Sequence, residues 1–170
     1  MDYPTFTHEP YLLFRKKLKD FIAKKVKPYS SRWEISRTFP TSLLKEFGKR
    51  GYLGLSLPRG VGGQGRDFWH EVILAEELAG CGTLGWALSV LVQTNMVAPI
   101  LFQLGTDEQK KRFLKPALKG KFYLALGATD KESGSDLASV QTEAILDKNG
   151  YYRLNGEKRY ISNGSVAGYI

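Results

Sequence analysis

Two segments in the second half of the chain carry residue types and spacings suited to holding a ligand. The first, Gly127-Ala128-Thr129-Asp130-Lys131-Glu132-Ser133-Gly134-Ser135-Asp136, mixes hydroxyls with a glycine after an apolar run. A turn of this kind lets backbone approach a ligand and offers N–H groups to an anion. On composition alone it is any Ser/Gly turn. The second, Leu154-Asn155-Gly156-Glu157-Lys158-Arg159-Tyr160-Ile161-Ser162-Asn163-Gly164, sets an aromatic and a hydroxyl two residues apart. Side chains at i and i+2 of a strand share a face. Tyr160 and Ser162 are therefore expected to present a flat ring and a donor to one planar ligand.

The remaining reactive groups are dispersed. Gly60-Val61-Gly62-Gly63-Gln64-Gly65 fits the GxGxxG pattern, but the preceding Leu53–Leu57 run is short and broken by glycine, and no βαβ unit follows. A mobile or tightly turned connection between helices is the better reading. His8 and His70 are far apart and Cys81 is alone, which argues against a zinc site or a Ser/His/Asp triad within this chain. His70 reads as a surface or satisfied structural histidine. Glu76 and Glu77 are adjacent on a helix and point about 100° apart, so capping, ion pairing or packing explains them better than paired acid catalysis.

These segments must be positioned by the elements around them. Phe14, Leu18, Phe21, Ile22 and Val26 follow an i, i+4, i+7, i+8, i+12 pattern, predicting an amphipathic helix over about 9–27. Pro28 and Ser30-Ser31 break it. Leu43, Leu44 and Phe47 predict a helix over about 41–50, opened by Pro40 and closed near Gly51. Residues 52–66 form a glycine-rich connection. Asp67 is a candidate cap for a helix carrying Phe68, Val72, Leu74, Ala75 and Leu78. Thr106 to Gln109 has the capping-box pattern and starts a helix toward Pro116 and Gly120. Leu78 to Thr106 holds no charged residue, yet Gln93, Thr94, Asn95, Pro99 and Gln103 interrupt it, and Gly80, Gly82 and Gly85 break its start. It is read as core helix buried on all sides, not as a membrane span.

From Lys121 the character changes. Phe122–Leu126 is an apolar run, Val140–Leu146 alternates, Asn149-Gly150 is a hairpin signal, and Tyr151–Leu154 and Lys158–Ser162 complete a β-rich section around the Asn155-Gly156 turn. Helices followed by antiparallel strands predict an α+β fold, with a helical domain over 1–120 and a β domain beginning at 121. Hydrophobic residues at 42% and charged residues at 25% place the chain among ordinary soluble globular proteins. The single cysteine excludes an internal disulfide framework and fits a reducing compartment. The start, MDYPTFTHEP, has neither a basic region nor an apolar run, so no leader peptide is expected.

The net charge of +8 raises the question of polyanionic partners. Much of the excess is Arg15, Lys16, Lys17, Lys19, Lys24, Lys25 and Lys27, interleaved with the apolar stripe of the first helix. That is the solvated back of an amphipathic helix. No nucleic-acid motif accompanies it, and nucleic-acid binding is not expected. A positive field does favour a phosphate-bearing acyl carrier or an acidic protein partner.

Taken in order, the segments resemble the acyl-CoA dehydrogenase family. The match lies in a Thr-acid-x-x-x-Gly-Ser-Asp turn, then Leu-Asn-Gly-x-Lys, then an aromatic-Ile-hydroxyl-Asn-Gly stretch. Phe39-Pro40, Gly51-Tyr52-Leu53-Gly54, Pro58 with Gly62-Gly63, Glu76-Glu77-Leu78 and Gly105 to Gln109 extend it over nearly the whole chain. The resemblance implies an all-helical N-terminal domain followed by the beginning of an antiparallel β-barrel-like domain, and FAD as cofactor. It implies that Leu126, Ala128 and Thr129 lie along the isoalloxazine ring, with Thr129 bonding its polar edge. Gly134 and Ser135 would reach the ribityl-phosphate region, and Ser135 would also touch the acyl thioester. Tyr160 and Ile161 would pack at the flavin, and Ser162 would face its N5. Hydroxyl and backbone donors suit a reduced, anionic flavin, and an apolar wall excludes water.

The implied reaction is α,β-dehydrogenation of an acyl chain carried on coenzyme A or acyl-carrier protein. Its catalytic base is a carboxylate in a C-terminal helical domain, so none is expected before Ile170. The uncharged helix around Leu88–Pro99 is expected to help line the acyl pocket. A homodimer or homotetramer, an electron-acceptor flavoprotein, and a cytoplasmic or mitochondrial-matrix location also follow from the resemblance. Because the family shares its cofactor across a subunit interface, residues 1–170 alone are expected to hold FAD weakly. Ending within Val166–Ile170, which reads as a strand, suggests part of a protein about twice as long. Asp130-Lys131 stands where the family has Glu-Pro, Tyr160 where tryptophan is common and Ser162 where threonine is common. These departures leave open a relative with oxidase or monooxygenase chemistry, and a helical binding module without turnover.

Overall fold

The amphipathic stripe of the first helix finds its partner in a long-range core. In a computed structural model describing residues 7–170, α1 spans Glu9–Lys25 and buries Leu18, Phe21 and Ile22. Glu9 in its first turn and Lys24 and Lys25 in its last complement the helix dipole. Residues 1–6, on which the expectation of no leader partly rests, lie outside the described residues. The lysines of α1 are exposed as expected. Arg15 is the exception: it is half-buried and reaches α4 (Phe68–Ala79), where it bonds both Glu76 and Glu77. Adjacent helix positions thus do converge, on the two arms of one guanidinium fork.

Between these helices come α2 (Ser30–Ser36) and α3 (Ser42–Lys49). Leu43, Leu44 and Phe47 of α3 are buried, and the Phe47 ring meets Phe21, Tyr52 and Trp86 edge-on at centroid separations of 5.0–5.1 Å. The glycine-rich connection is tightly turned, closed on itself by Gln64 N–H to Gly54 O (2.8 Å) and Arg66 N–H to Leu55 O (2.7 Å). Asp67 stands at the α4 cap position, but its carboxylate is taken by side chains: the Tyr11 hydroxyl at 2.6 Å and His70 Nδ1 at 2.8 Å. His70 is accordingly a satisfied structural histidine, only 5% exposed. One assignment on α4 is corrected. Phe68 is exposed, and Ile73 is buried alongside Leu74 and Leu78.

α5 (Leu84–Leu91), a π-helical segment Val92–Val97 and α6 (Ala98–Leu104) make one 21-residue helical run, long and apolar enough to cross a membrane by length and composition. The expectation that it is buried on all sides is only half met. Trp86, Ala87, Ser89, Val90, Gln93 and Ala98 are buried, while Leu84, Leu88, Met96, Ile100 and Leu104 form an exposed stripe. The run packs against the main core through Trp86, Ala87, Val90 and Ala98 and against a second cluster through Val92 and Val97. α7 (Asp107–Gln109), a second π segment (Lys110–Leu114) and α8 (Lys115–Leu118) follow, opened by the Thr106–Gln109 capping box. Each π segment ends two residues before a helical proline, Pro99 or Pro116. Proline has no N–H for the carbonyl four residues back, and the ladder widens to i→i−5, as in Ala98 N–H to Gln93 O and Lys115 N–H to Lys110 O.

The chain leaves the helices through Gly120. Its φ is +71, and a Cβ there would lie 2.2 Å from Leu44 O, so only glycine is admitted. β1 (Tyr123–Leu124) follows, then β2 (Glu143–Leu146), β3 (Tyr152–Asn155) and β4 (Ala167–Tyr169). β2 and β3 form the expected antiparallel hairpin, with Ala144 opposite Leu154 and Gly150 at φ +82 in the turn. β1 and β4, however, pair in parallel, which corrects the expectation of antiparallel strands throughout. Turn signals report neighbours in sequence, and these two strands are joined only through everything between them. A second correction concerns Lys158–Ser162: it is no strand, and only Lys158 makes a single bridge, to Asp130. The α+β class holds.

Candidate functional site

Leu126 leaves β1 and packs against a small cluster of Val92, Val97, Ala117 and Leu124, which joins the long helical run, α8 and β1. This cluster seats the turn that follows. Ala128 and Thr129 are half-buried, and both offer their carbonyls to the second segment: Lys158 Nζ donates to Ala128 O at 3.0 Å, and Arg159 N–H to Thr129 O at 2.9 Å. The fold therefore brings the two ligand-type segments together.

The fastening between them is Asp130. Its carboxylate is 6% exposed, pairs with Lys158, and accepts Gln141 N–H (2.7 Å), Thr142 N–H (2.8 Å) and the Thr142 hydroxyl (2.8 Å). The Lys158 ammonium, with the Thr142 hydroxyl and the two backbone donors, holds its carboxyl far below the usual carboxylate range, outweighing burial. A carboxylate so occupied stays ionised and has no lone pair to spare for a substrate proton. Asp130 is an organiser, not a base. Gly156 completes the joint: its φ is +155, and a Cβ there would lie 2.3 Å from Thr142 Oγ1.

Beyond Asp130 the turn is held internally. The Ser133 hydroxyl donates to Asp136 O, and the Asp136 carboxylate accepts Ala138 N–H (3.2 Å) and the Ser139 hydroxyl. Among the described residues the hydroxyls of Thr129, Ser135 and Ser162 engage no protein partner, and Gly134 opens onto free space. Ser133 and Ser139 are thus spent on the turn, whereas the three hydroxyls singled out from the sequence remain free to donate.

Tyr160 is 89% exposed with φ +54, Ile161 and Ser162 are half-buried, and Asn163 is left-handed at φ +69. Residues 162–166 are turned rather than extended, through Gly164 N–H to Ile161 O and Ala167 N–H to Asn163 O. Face-sharing at i and i+2 does not operate here. Ser162 instead lines a cavity of about 290 Å³ with Leu88, Ser89, Asn163, Phe39 and Arg37. Ser89 and Asn163 were not singled out from the sequence, although Ser89 and Gln93, one turn apart in an uncharged helix, were a signal.

Known proteins resemble this chain in sequence and fold. Residues 8–121 match the acyl-CoA dehydrogenase N-terminal domain and residues 125–170 the acyl-CoA dehydrogenase middle domain. The chain is 35% identical over 156 residues to the short-chain specific acyl-CoA dehydrogenase of Clostridium acetobutylicum, covering 91% of this chain and 40% of that protein. It is 36% identical to the caffeyl-CoA reductase-Etf complex subunit CarC of Acetobacterium woodii, covering 88% and 39%. A glutaryl-CoA dehydrogenase from Mycobacterium smegmatis in complex with FADH2 superposes with a TM-score of 0.90 at 29% identity, covering 98% and 42%. This chain belongs to the acyl-CoA dehydrogenase family. It spans about 40% of the length of the curated relatives it matches.

Proposed function

We propose that the whole protein carries out flavin-dependent α,β-dehydrogenation of an acyl thioester on coenzyme A or acyl-carrier protein, this chain supplying part of the FAD and acyl site. The observation that supports this reading is the fastening of the two segments by Asp130 and Lys158, with the Thr129, Ser135 and Ser162 hydroxyls left without protein partners. Those residues fit the cofactor: open glycine backbone at Gly134, free donors, and a half-buried apolar base at Leu126. FAD, when bound, accepts the hydride removed from the β-carbon.

The chain's own residues do the rest of what falls to it. Thr129 and Ser162 donate to the polar edge of the ring system, and Gly134 and Ser135 hold the ribityl-phosphate side, Ser135 also meeting the thioester. Tyr160 and Ile161 close over one face. The exposed Leu88, Met96 and Ile100 stripe gives the acyl chain an apolar wall. The base that takes the α-proton lies outside residues 1–170. The helical unit 1–120 and the β unit from 121 divide these tasks.

An electron-acceptor flavoprotein is the proposed partner, in line with the Etf complex in the name of the CarC relative. A groove of about 740 Å³ along α1, flanked by Lys17, Lys24, Lys25, Arg50 and Arg66, offers the positive field an acidic partner needs. A homodimer or homotetramer in the cytoplasm or mitochondrial matrix completes the reading. The CarC relative also favours a second reading, in which the same site runs in the reductive direction. Purification decides the class: the whole protein is expected to be yellow and to retain FAD. A colourless protein that stays so after reconstitution with FAD overturns it.

A further inference from the structure

Leu124 of β1 is served by β4 on one side only. In a parallel pair the N–H and C=O of one residue point to the same side. Ala125 N–H donates toward β4, to Tyr169 O at 3.1 Å, so the polar groups of Leu124 face the other way, where no strand lies among the described residues. Two side-chain amides stand there instead. Gln93 Oε1 accepts Leu124 N–H at 3.2 Å, and Asn163 Nδ2 donates to Leu124 O at 2.9 Å.

Both amides are tied back to the helices. Gln93, fully buried, also donates from Nε2 to Ala117 O at 3.0 Å. Asn163 Nδ2 further donates to Ser89 O at 3.0 Å, and its Oδ1 accepts the Ser89 hydroxyl. Ser89 and Gln93 are four residues apart and so share one side of the helical run. Tyr123, fully buried, lies between Ser89 and Trp86 and backs this polar cluster on the core side.

We propose that Ser89, Gln93 and Asn163 are positioning residues that fix Ser162 relative to the Leu126–Thr129 segment and lock both to the helical run. Asn163 follows Ser162 directly, and its amide contacts the helix and β1 at once. Leu124 stands two residues before Leu126. One side chain therefore sets the spacing between the two halves of the ligand surface, and links them to the helical run that carries the proposed acyl wall. This inference rests on the flavin reading given above.

The test uses the whole protein with FAD. Asn163→Gly removes the amide and keeps the left-handed backbone unstrained, isolating the side chain. Ser89→Ala removes a single hydroxyl from the same contact. Both variants are expected to bind FAD roughly 10-fold more weakly, the loss of one buried hydrogen bond being a factor of that order. Both are also expected to shift the flavin absorption maximum and to lower kcat about 10-fold while KM for the acyl thioester stays within about twofold. If both fold, as far-ultraviolet circular dichroism reports, yet keep the parent's FAD affinity, spectrum and kcat, the proposal is wrong. If Asn163→Gly does not fold, Ser89→Ala decides alone by the same readouts. A parent protein that binds no FAD at all refutes the flavin reading instead.

Discussion

In the helical part Trp86, Phe47, Leu18, Leu44 and Leu74 are all but sealed from solvent and interlock by shape, whereas every residue of β2 and β3 is exposed. What fastens the second half is largely polar: the Asp130 carboxylate with its four partners, the Asp136 turn, and the amide clamp on Leu124. Hydrophobic burial scales with area and tolerates rearrangement. A hydrogen-bonded latch is directional and fails as a unit when one partner goes. The helices therefore supply stability, and the second half supplies placement.

The sharpest challenge to this contrast is a core truncation. Phe47→Ala is expected to lower stability by about 3–5 kcal/mol, seen as a lower urea midpoint in circular dichroism, and to take the β part down with the helices. An equal midpoint would break the contrast. Asp130→Asn is expected to do the opposite. It should abolish hydrogen-exchange protection at Gln141 and Thr142 while the urea midpoint of the helices barely moves.

Lowering the pH weakens the same latch by degrees. The carboxyl of Asp130 is held below its unfolded value of about 3.9, so its stabilisation is fully present above that pH. It is lost as the pH falls through the folded value. Protection of Gln141 and Thr142 should accordingly fade only below about pH 4, and Asp130→Asn should remove that dependence. Protection in the parent that already fades near pH 6 would point to another group. The smallest expected effect is Thr106→Ala, which removes the hydroxyl accepting Gln109 N–H at 3.2 Å and costs about 1 kcal/mol, confined to the helices.

The sequence made the helical part legible because its signals are periodic and local. The stripe from Phe14 to Val26 is found buried or half-buried, and the Thr106–Gln109 box forms as its spacing predicts. Misreadings arose where tertiary partners decide. Phe68 yielded its buried place to Ile73, one side of Leu84–Leu104 stayed exposed, and β4 returned parallel to β1. At the candidate site the two segments were visible as composition, but their fastening was not. Asp130, Lys158, Ser89 and Asn163 act on groups 11 to 74 residues away, and no local pattern encodes those pairings. The strand expected at Tyr160–Ser162 failed for a related reason. The left-handed backbone at Tyr160 and Asn163 serves long-range contacts rather than local propensity.

Whether the assembled surface handles a flavin and an acyl thioester together is tested most directly by anaerobic titration of the whole FAD-loaded protein with saturated acyl-CoAs of graded chain length. Bleaching of the oxidised flavin absorbance, with formation of the 2-enoyl thioester, is the predicted result, and the best chain length names the substrate. An FAD-loaded protein that keeps its oxidised spectrum with every acyl-CoA and acyl-carrier-protein thioester tried would contradict it.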